Sequence, residues 1–370
     1  MRPFKYGCVV TGDAFCPRPA LQKALVGNIR DGQNVVLVGE RRMGKTSLVY
    51  AAHAALSKWR MLYVDLLNVR TTADVCNRAA TAAAAMGSST SFADRALRFI
   101  GRLRPTFSVD PQTGSPVVSV DARTAEDPRS LDDVMSLVSD LSRGGKFFVV
   151  FDEFQEIRKI DAGDQLLAVL RSRIQLLQDT CFVFSGSVRD DIADIFSNPA
   201  SPFFKSAFAL TVGPVPDDDY APFLIRRFAL GQRKADRAFV DRIFDFTGRT
   251  TGDVQQFCSA VWNASDPGDV LDDAAFKAAL ADIFAQESGA FEGQTASLTR
   301  FQFKTLVAVA RHGGRNVFSR EFLNRSELPS AATASRALGA LSAKGLLFLH
   351  LGEYKFFNPF LRAWLLSKGY

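Results

Sequence analysis

The stretch "QNVVLVGERRMGKTSLVYAAHAAL", residues 33–56, joins an apolar run, a glycine-containing loop and a helical pattern. It predicts a strand from Asn34 to Val38 and a helix that begins near Lys45. Between them, residues 39–46 match G-x-x-x-x-G-K-[ST], in the strand–loop–helix context that this motif requires. Such a loop turns its backbone N–H groups and the helix N-terminus toward phosphate groups. An ordinary glycine turn is the alternative, although nothing structural requires Gly, Lys and Thr together.

The motif implies a Mg²⁺-dependent nucleotide site. Lys45 would reach the β- and γ-phosphates, and Thr46 would hold Mg²⁺. The predicted cofactor-binding residues of this loop are Gly39, Arg41, Arg42, Met43, Gly44, Lys45, Thr46 and Ser47.

A second stretch, "KFFVVFDEFQEI" at residues 146–157, ends an apolar strand in two adjacent carboxylates, Asp152 and Glu153. In an open parallel sheet, ligands bind beyond the carboxyl ends of the strands. We therefore expect Asp152 to hold Mg²⁺ together with Thr46, and Glu153 to orient and deprotonate the attacking water. A strand end carrying surface acids is the alternative.

The following strand, "CFVFSGS" at residues 181–187, also ends in polar side chains. Ser185 and Ser187 are candidates to bond the γ-phosphate or the water, and Ser185 is placed with Lys45, Asp152 and Glu153 among the catalytic residues. An ordinary serine turn is the alternative.

The pattern along the chain predicts an α/β fold. Apolar strands alternate with helices up to residue 215, which is typical of a parallel sheet covered by helices on both faces. A hairpin is expected near residues 111–116. After Pro216 the pattern is helical, and residues 288–297, "SGAFEGQTAS", are predicted to be a linker.

Composition narrows the class of protein. With 370 residues, 47% hydrophobic and 23% charged, the chain is typical of a globular protein of two or three domains. Its five cysteines are scattered and form no CxxC, which argues against zinc and a disulfide framework. We expect no secretory signal, no membrane span and a cytoplasmic location. Residues 297–370 hold eleven Lys and Arg against three Asp and Glu, which favours a polyanion partner.

Five stretches together resemble one family. They are "FKYGCVVTGDAFCPRPALQKAL", "GERRMGKTSL", "FFVVFDEFQEI", "FVFSGS" and "TGRTTGDVQQFCSAVW". In this order they are similar to the archaeal-type ATPases of the AAA+/STAND superfamily, relatives of the origin-recognition ATPases. The resemblance implies a P-loop ATPase domain at 1–215, a helical lid at 216–290 and a winged-helix domain at 298–370. It also implies ATP rather than GTP.

The resemblance also implies nucleotide-binding residues that lie outside the sequence motifs. It places Phe15 and Arg18 near the adenine and ribose, although a structural role is equally open. It makes residues 247–262 the lid helix that faces the γ-phosphate. This chain has Arg249 where the family usually shows Gly-x-Pro, so Arg249 could contact phosphate instead.

A departure from the family concerns hydrolysis. Near "SPFFKSAF" the family often carries an arginine that reaches a neighbour's γ-phosphate, whereas this chain has Lys205 and Ser206. Such an arginine contributes roughly 10³ to 10⁵ in rate in related NTPases. Hydrolysis would then be slow or partner-dependent, or it would use Arg189 or Arg226, with or without self-association into a ring.

The last segment has winged-helix organisation. Arg320 to Asn324 is the predicted second helix and Ser330 to Lys344 the recognition helix, with Ala334, Ala337, Leu338 and Leu341 in the core. The predicted phosphate contacts are Arg315, Arg320, Arg325, Arg336, Lys344 and Lys355. With few base-reading side chains, DNA binding would be weakly sequence-specific and strongly salt-dependent. Alternatively, the domain docks on its own ATPase domain or on another protein.

Three functions follow from these residues. The first is a Mg²⁺-dependent ATPase that couples its nucleotide state to DNA engagement. The second is a STAND-type signalling switch, with slow hydrolysis, whose nucleotide state controls binding to a partner protein. The third is a scaffold that binds ATP without turning it over, against which Lys45, Thr46, Asp152 and Glu153 argue.

Overall fold

The computed structural model describes residues 3–86, 105–109, 116–120, 129–178, 180–187 and 192–370. These residues form two compact units. One is Val9–Pro214, and the other combines the described residues up to Cys8 with Val215–Tyr370.

The first unit is built on a parallel sheet of five strands. They are β1 (Val35–Gly39), β2 (Arg60–Asp65), β5 (Phe147–Asp152), β6 (Cys181–Ser187) and β7 (Phe208–Thr211). Their spatial order is β2-β5-β6-β1-β7, and every neighbouring pair is parallel. The predicted parallel sheet is therefore confirmed, and its order places β6 between β1 and β5.

Helices cover both faces of this sheet. They are α1 (Pro19–Arg30), α2 (Lys45–Ala55), α3 (Thr72–Ala85), α4 (Arg129–Arg143), α5 (Gly163–Gln175) and α6 (Ile192–Ser197). Because side chains alternate along a strand, Phe147, Val149 and Phe151 pack on one face with α3, α4 and α5. Phe148 and Val150 pack on the other face with α1 and α2.

A separate antiparallel pair confirms the predicted hairpin. It consists of β3 (Pro105–Val109) and β4 (Pro116–Val120). The residues that connect the two strands, 110–115, lie outside the described part of the chain.

The second unit is helical. Its helices are α7 (Asp217–Ala229), α8 (Arg237–Thr247), α9 (Thr251–Asn263), α10 (Asp273–Ala296), α11 (Arg300–His312), α12 (Arg320–Arg325), α13 (Ala331–Ala343) and α14 (Pro359–Ser367). A two-stranded antiparallel pair, β8 (Leu347–His350) and β9 (Glu353–Phe356), completes it.

The linker predicted at residues 288–297 is wrong, because α10 continues to Ala296. Phe291 lies in this segment, is 1% exposed and packs against Trp364 of α14, with ring centroids 5.7 Å apart. This apolar contact keeps the segment helical despite Gly289 and Gly293.

Residues from α11 onward form the predicted winged helix. Ser330 accepts a hydrogen bond from the Thr333 N–H and caps α13, the predicted recognition helix. The four predicted core residues of α13 are buried: Ala334, Ala337, Leu338 and Leu341. Across the described residues, no helix combines the length and the apolarity needed to cross a bilayer.

Candidate active site

The glycine loop leaves β1 and enters α2 in a tight curve. Arg42 and Gly44 both have positive φ, 65° and 84°, and the left-handed conformation at Gly44 costs a glycine little. Gly39 is required for a different reason, because a Cβ there would overlap the Val212 carbonyl beside β7. The loop therefore begins and ends at glycines that no larger residue can replace without strain.

Lys45 lies inside the curve of the loop. Its side chain is buried, and its ammonium donates to the carbonyls of Gly39 (2.9 Å) and Glu40 (3.0 Å). A cation is thus held at the N-terminal end of α2, where the helix dipole also favours an anion.

The other loop residues divide into anchors and exposed positions. Met43 is 4% exposed and belongs to the core between the sheet and α2. Ser47 is buried, and its Oγ accepts a hydrogen bond from the Val10 N–H (3.1 Å). Arg41 and Arg42 are exposed.

Arg18 holds the loop through its backbone. Its guanidinium is buried and donates to the Met43 carbonyl (2.6 Å) and to the Gly213 carbonyl (2.7 Å). Phe15 is partly buried against the core between the sheet and α2. These two hydrogen bonds of Arg18 are with backbone carbonyls, and its role near the adenine and ribose stays a prediction.

Asp152 is the point at which three elements meet. Its Oδ2 accepts hydrogen bonds from Thr46 Oγ1 of α2 (2.8 Å) and from the Tyr63 hydroxyl of β2. Its Oδ1 accepts from the Glu153 N–H (3.1 Å), and the side chain is 6% exposed. Burial, followed by the Asp152 charge, raises the pKa of Tyr63, so the phenol stays a donor. The structure therefore brings together the two residues predicted to hold Mg²⁺.

Glu153 precedes a short 3₁₀ turn, Phe154–Lys159. Its φ is 52°, and its carboxylate accepts a hydrogen bond from the Gln155 side chain. Burial raises the pKa of Glu153; the Gln155 hydrogen bond opposes this, and the Asp152 charge adds to it.

The end of β6 supplies a buried hydroxyl. Cys181 and Val183 face α1 and α2, so alternation places Ser185 and Ser187 on that same face. Ser185 is opposite Leu37 of β1 and is 1% exposed. Its Oγ has no hydrogen-bond partner among the described residues. An unsatisfied buried hydroxyl at this edge is unusual and consistent with a ligand-binding position.

The sequence did not predict two contacts near Asp152 and Glu153. Tyr63 reaches Asp152 because β2 pairs with β5, an order that local patterns do not reveal. Gln155 packs against Gly186, where any Cβ would overlap the Gln155 Oε1. The only available signal was the position of Gln155 two residues after Glu153.

Two of the remaining candidates, Arg249 and Arg226, belong to the second unit. Arg249 has φ 61° and is held by Asp217 (3.1 Å) and Asp245 (3.0 Å). Arg226 is exposed on α7. In the first unit, Lys205 lies over the Phe204 ring, whereas Arg189 lies outside the described residues.

All six predicted phosphate contacts of the winged helix are exposed: Arg315, Arg320, Arg325, Arg336, Lys344 and Lys355. Three of them are near acids within the domain. Arg315 (3.3 Å) and Lys355 (3.9 Å) approach Glu353, and Arg325 pairs with Glu321 (2.8 Å). Such exposed pairs are weak and would yield readily to phosphate.

Comparisons with known proteins support this architecture. Residues 289–367 match a family model described as "Probable winged helix domain". No curated protein sequence matches the chain.

Solved structures share the fold over nearly the whole chain. A Walker-type ATPase of Pyrococcus abyssi has a TM-score of 0.61 at 17% identity, covering 96% of this chain and 97% of that one. The ORC2 protein of Aeropyrum pernix, in ADPNP and ADP complexes, has a TM-score of 0.57 at 15% identity, covering 99% and 96%. The ORC1 protein of the same organism, in complex with DNA, has a TM-score of 0.51 at 15% identity, covering 96% and 94%. The chain therefore shares the P-loop fold of these archaeal structures, and it carries a C-terminal winged helix.

Proposed function

We propose that this protein binds ATP with Mg²⁺ at the loop of residues 39–46, hydrolyses it, and couples its nucleotide state to engagement of DNA by the winged helix. The observation that carries the proposal is the 2.8 Å hydrogen bond between Thr46 and Asp152, beside the buried Lys45. Folding joins two motifs that lie 106 residues apart in the sequence.

The residues present suit a triphosphate and its cation. Lys45 and the N-terminus of α2 supply positive charge, and the Ser185 hydroxyl is a buried donor without a partner among the described residues. Thr46 and Asp152 offer the oxygen ligands that Mg²⁺ prefers. When bound, Mg²⁺ would neutralise charge on the phosphates.

Hydrolysis requires a base near the γ-phosphate. Glu153 would take the proton of the attacking water, and Gln155 would orient the Glu153 carboxylate through their hydrogen bond. Ser185 would donate to the γ-phosphate or the water. Arg18 would contribute to nucleotide binding by holding the Met43 carbonyl of the loop. Phe15 would lie nearer the adenine.

DNA engagement rests on the winged helix. The six cations predicted to contact phosphate are all exposed, and the similar ORC1 protein was solved in complex with DNA. Binding would be only weakly sequence-specific, because the exposed residues of α13 include few base readers.

A second candidate is a nucleotide-controlled switch with a protein partner. Leu349, near the end of β8, and Leu351, in the turn to β9, are 60% and 91% exposed. Leu351 also has φ 47°, a conformation that a leucine rarely adopts. An apolar tip held in this way favours a protein surface as its partner.

Steady-state ATP hydrolysis, measured with Mg²⁺ and with or without duplex DNA, tests the proposal. We expect turnover by the wild type, retained ATP binding and lost turnover in Glu153→Gln, and a change in rate with DNA. Equal rates for wild type and Glu153→Gln would refute the role of Glu153. No effect of DNA and no DNA binding at about 50 mM salt, a concentration at which phosphate contacts are strong, would favour the switch.

A further inference from the structure

Tyr63 contributes a hydrogen bond to the same carboxylate oxygen that Thr46 contacts. It lies on β2, in register with Val150 of β5, two residues before Asp152. The alternation of β2 turns Tyr63 toward α2, where its ring packs on Tyr50 with centroids 5.6 Å apart. The ring is therefore fixed by packing, and its hydroxyl extends to Asp152 Oδ2.

Both oxygens of the Asp152 carboxylate accept hydrogen bonds. Oδ2 accepts hydrogen bonds from the Thr46 and Tyr63 hydroxyls, and Oδ1 accepts one from the Glu153 N–H. An ionised carboxylate only accepts hydrogen bonds, so three donors from three directions define its rotation. Without Tyr63, the remaining donors come from α2, through Thr46, and from the turn at Glu153.

We propose that Tyr63 is a positioning residue for the magnesium site, which holds the Asp152 carboxylate in the orientation that receives the metal–nucleotide complex. This inference rests on the proposed function. Hydrogen-bond partners of metal ligands typically change metal affinity by about 10- to 100-fold when they are removed. Because Tyr63 bonds Asp152, a proposed metal ligand, its effect on nucleotide binding should depend on Mg²⁺.

The test is a titration of a fluorescent ATP analogue into wild type and Tyr63→Phe, in EDTA and across a series of Mg²⁺ concentrations. Phenylalanine keeps the ring and its packing on Tyr50 and removes only the hydroxyl. We expect the affinity in EDTA to be unchanged and the Mg²⁺ concentration for half-maximal tightening to rise about tenfold. Tyr50→Phe is the matched control, because it removes a hydroxyl from the same ring pair, and it should behave as wild type.

A double-mutant cycle with Asp152→Asn separates positioning from general stabilisation. If Tyr63 acts through Asp152, adding Tyr63→Phe to Asp152→Asn should leave the Mg²⁺ midpoint where Asp152→Asn alone puts it. Additive effects would overturn the inference.

Other outcomes of these titrations also test the role of Tyr63. A wild-type Mg²⁺ midpoint in Tyr63→Phe would overturn the inference and leave the proposed function standing. So would equal losses of affinity with and without Mg²⁺, or loss of the folded state, since these assign Tyr63 a purely structural role. Absence of Mg²⁺-dependent nucleotide binding in the wild type would overturn the proposed function and the inference together.

Discussion

At the scale of single residues, Glu153 is the proposed general base, and its surroundings disfavour its ionised form. It follows the buried Asp152, has a left-handed backbone and accepts a hydrogen bond from Gln155. Burial raises its pKa above the ordinary value of 4.5. The ionised form needed for proton abstraction is therefore held at a cost to the folded state.

This cost predicts a pH-dependent gain in stability for Glu153→Gln. A raised folded-state pKa means that the glutamate stabilises the fold most below pH 4.5, and that this contribution is lost as the pH rises through the folded-state pKa. The variant lacks the ionisation, so its melting temperature should exceed that of the wild type by more at pH 8 than at pH 4.5. Thermal unfolding of both proteins across this range measures the gap. A constant gap, or one that narrows as the pH rises, would contradict the assignment.

Gly186 tests the orientation of Glu153 from the neighbouring strand. A Cβ at this position would overlap the Gln155 Oε1 and lie 2.7 Å from Ile192 Cδ1. Gly186→Ala should therefore displace Gln155 from Glu153 and slow hydrolysis about tenfold, with ATP affinity retained. Gly27→Ala, in open space on α1, is the control for an added methyl group. Normal turnover in Gly186→Ala would show that Gln155 does not orient the base.

At the scale of elements, the loop of residues 39–46 depends on contacts from outside its own sequence. The carbonyl of Met43 is held by Arg18, which also binds the carbonyl of Gly213 beyond β7. Two distant segments are thus joined to the loop by one buried guanidinium.

Arg18→Ala should both destabilise the first unit and weaken nucleotide binding. Loss of two buried hydrogen bonds from a charged group predicts about 2 to 4 kcal/mol of lost stability. Arg18→Lys should recover only part of the affinity, because an ammonium lacks the planar fork that spans both carbonyls. Urea unfolding and nucleotide titration measure the two effects. A folded Arg18→Ala protein with wild-type ATP affinity would show that the brace does not shape the loop.

Local patterns predicted most elements but not their neighbours. The apolar runs around Val36, Val149 and Val183 are long and uninterrupted, so the strands of the sheet were predictable. The order β2-β5-β6-β1-β7 was not, since it depends on packing across the sheet, and the contact from Tyr63 to Asp152 follows from that order. The helix through residues 288–296 could not be predicted from its small polar residues. It is stabilised by the packing of Phe291 on Trp364, a contact between residues that are far apart in the sequence.

At the scale of the whole molecule, charge is divided unevenly along the chain. The net charge is +6, and residues 297–370 alone hold eleven Lys and Arg against three Asp and Glu. The predicted phosphate contacts in this segment are all exposed. The winged helix is therefore the part of the chain best suited to a polyanion.

DNA affinity should accordingly fall steeply with salt. If all six cations contact phosphate, the slope of log affinity against log salt should approach about −5. Arg336→Ala, on the recognition helix, should reduce the magnitude of this slope by about one and weaken binding to all sequences alike. Arg30→Ala, an exposed cation at the end of α1, is the control. Fluorescence anisotropy with duplexes of two sequences provides the measurement, and an unchanged slope in Arg336→Ala would remove that residue from the interface.

The most direct test of the nucleotide site is calorimetric titration of a non-hydrolysable ATP analogue with Mg²⁺ into wild type and Lys45→Ala. The Lys45 ammonium now bonded to Gly39 and Glu40 would move to the phosphates, so its removal should weaken binding by about 100-fold or more. Thermal unfolding would confirm that the variant is folded. Tight wild-type binding that is lost in the folded Lys45→Ala protein is the expected result, and equal affinity of the two proteins would contradict it.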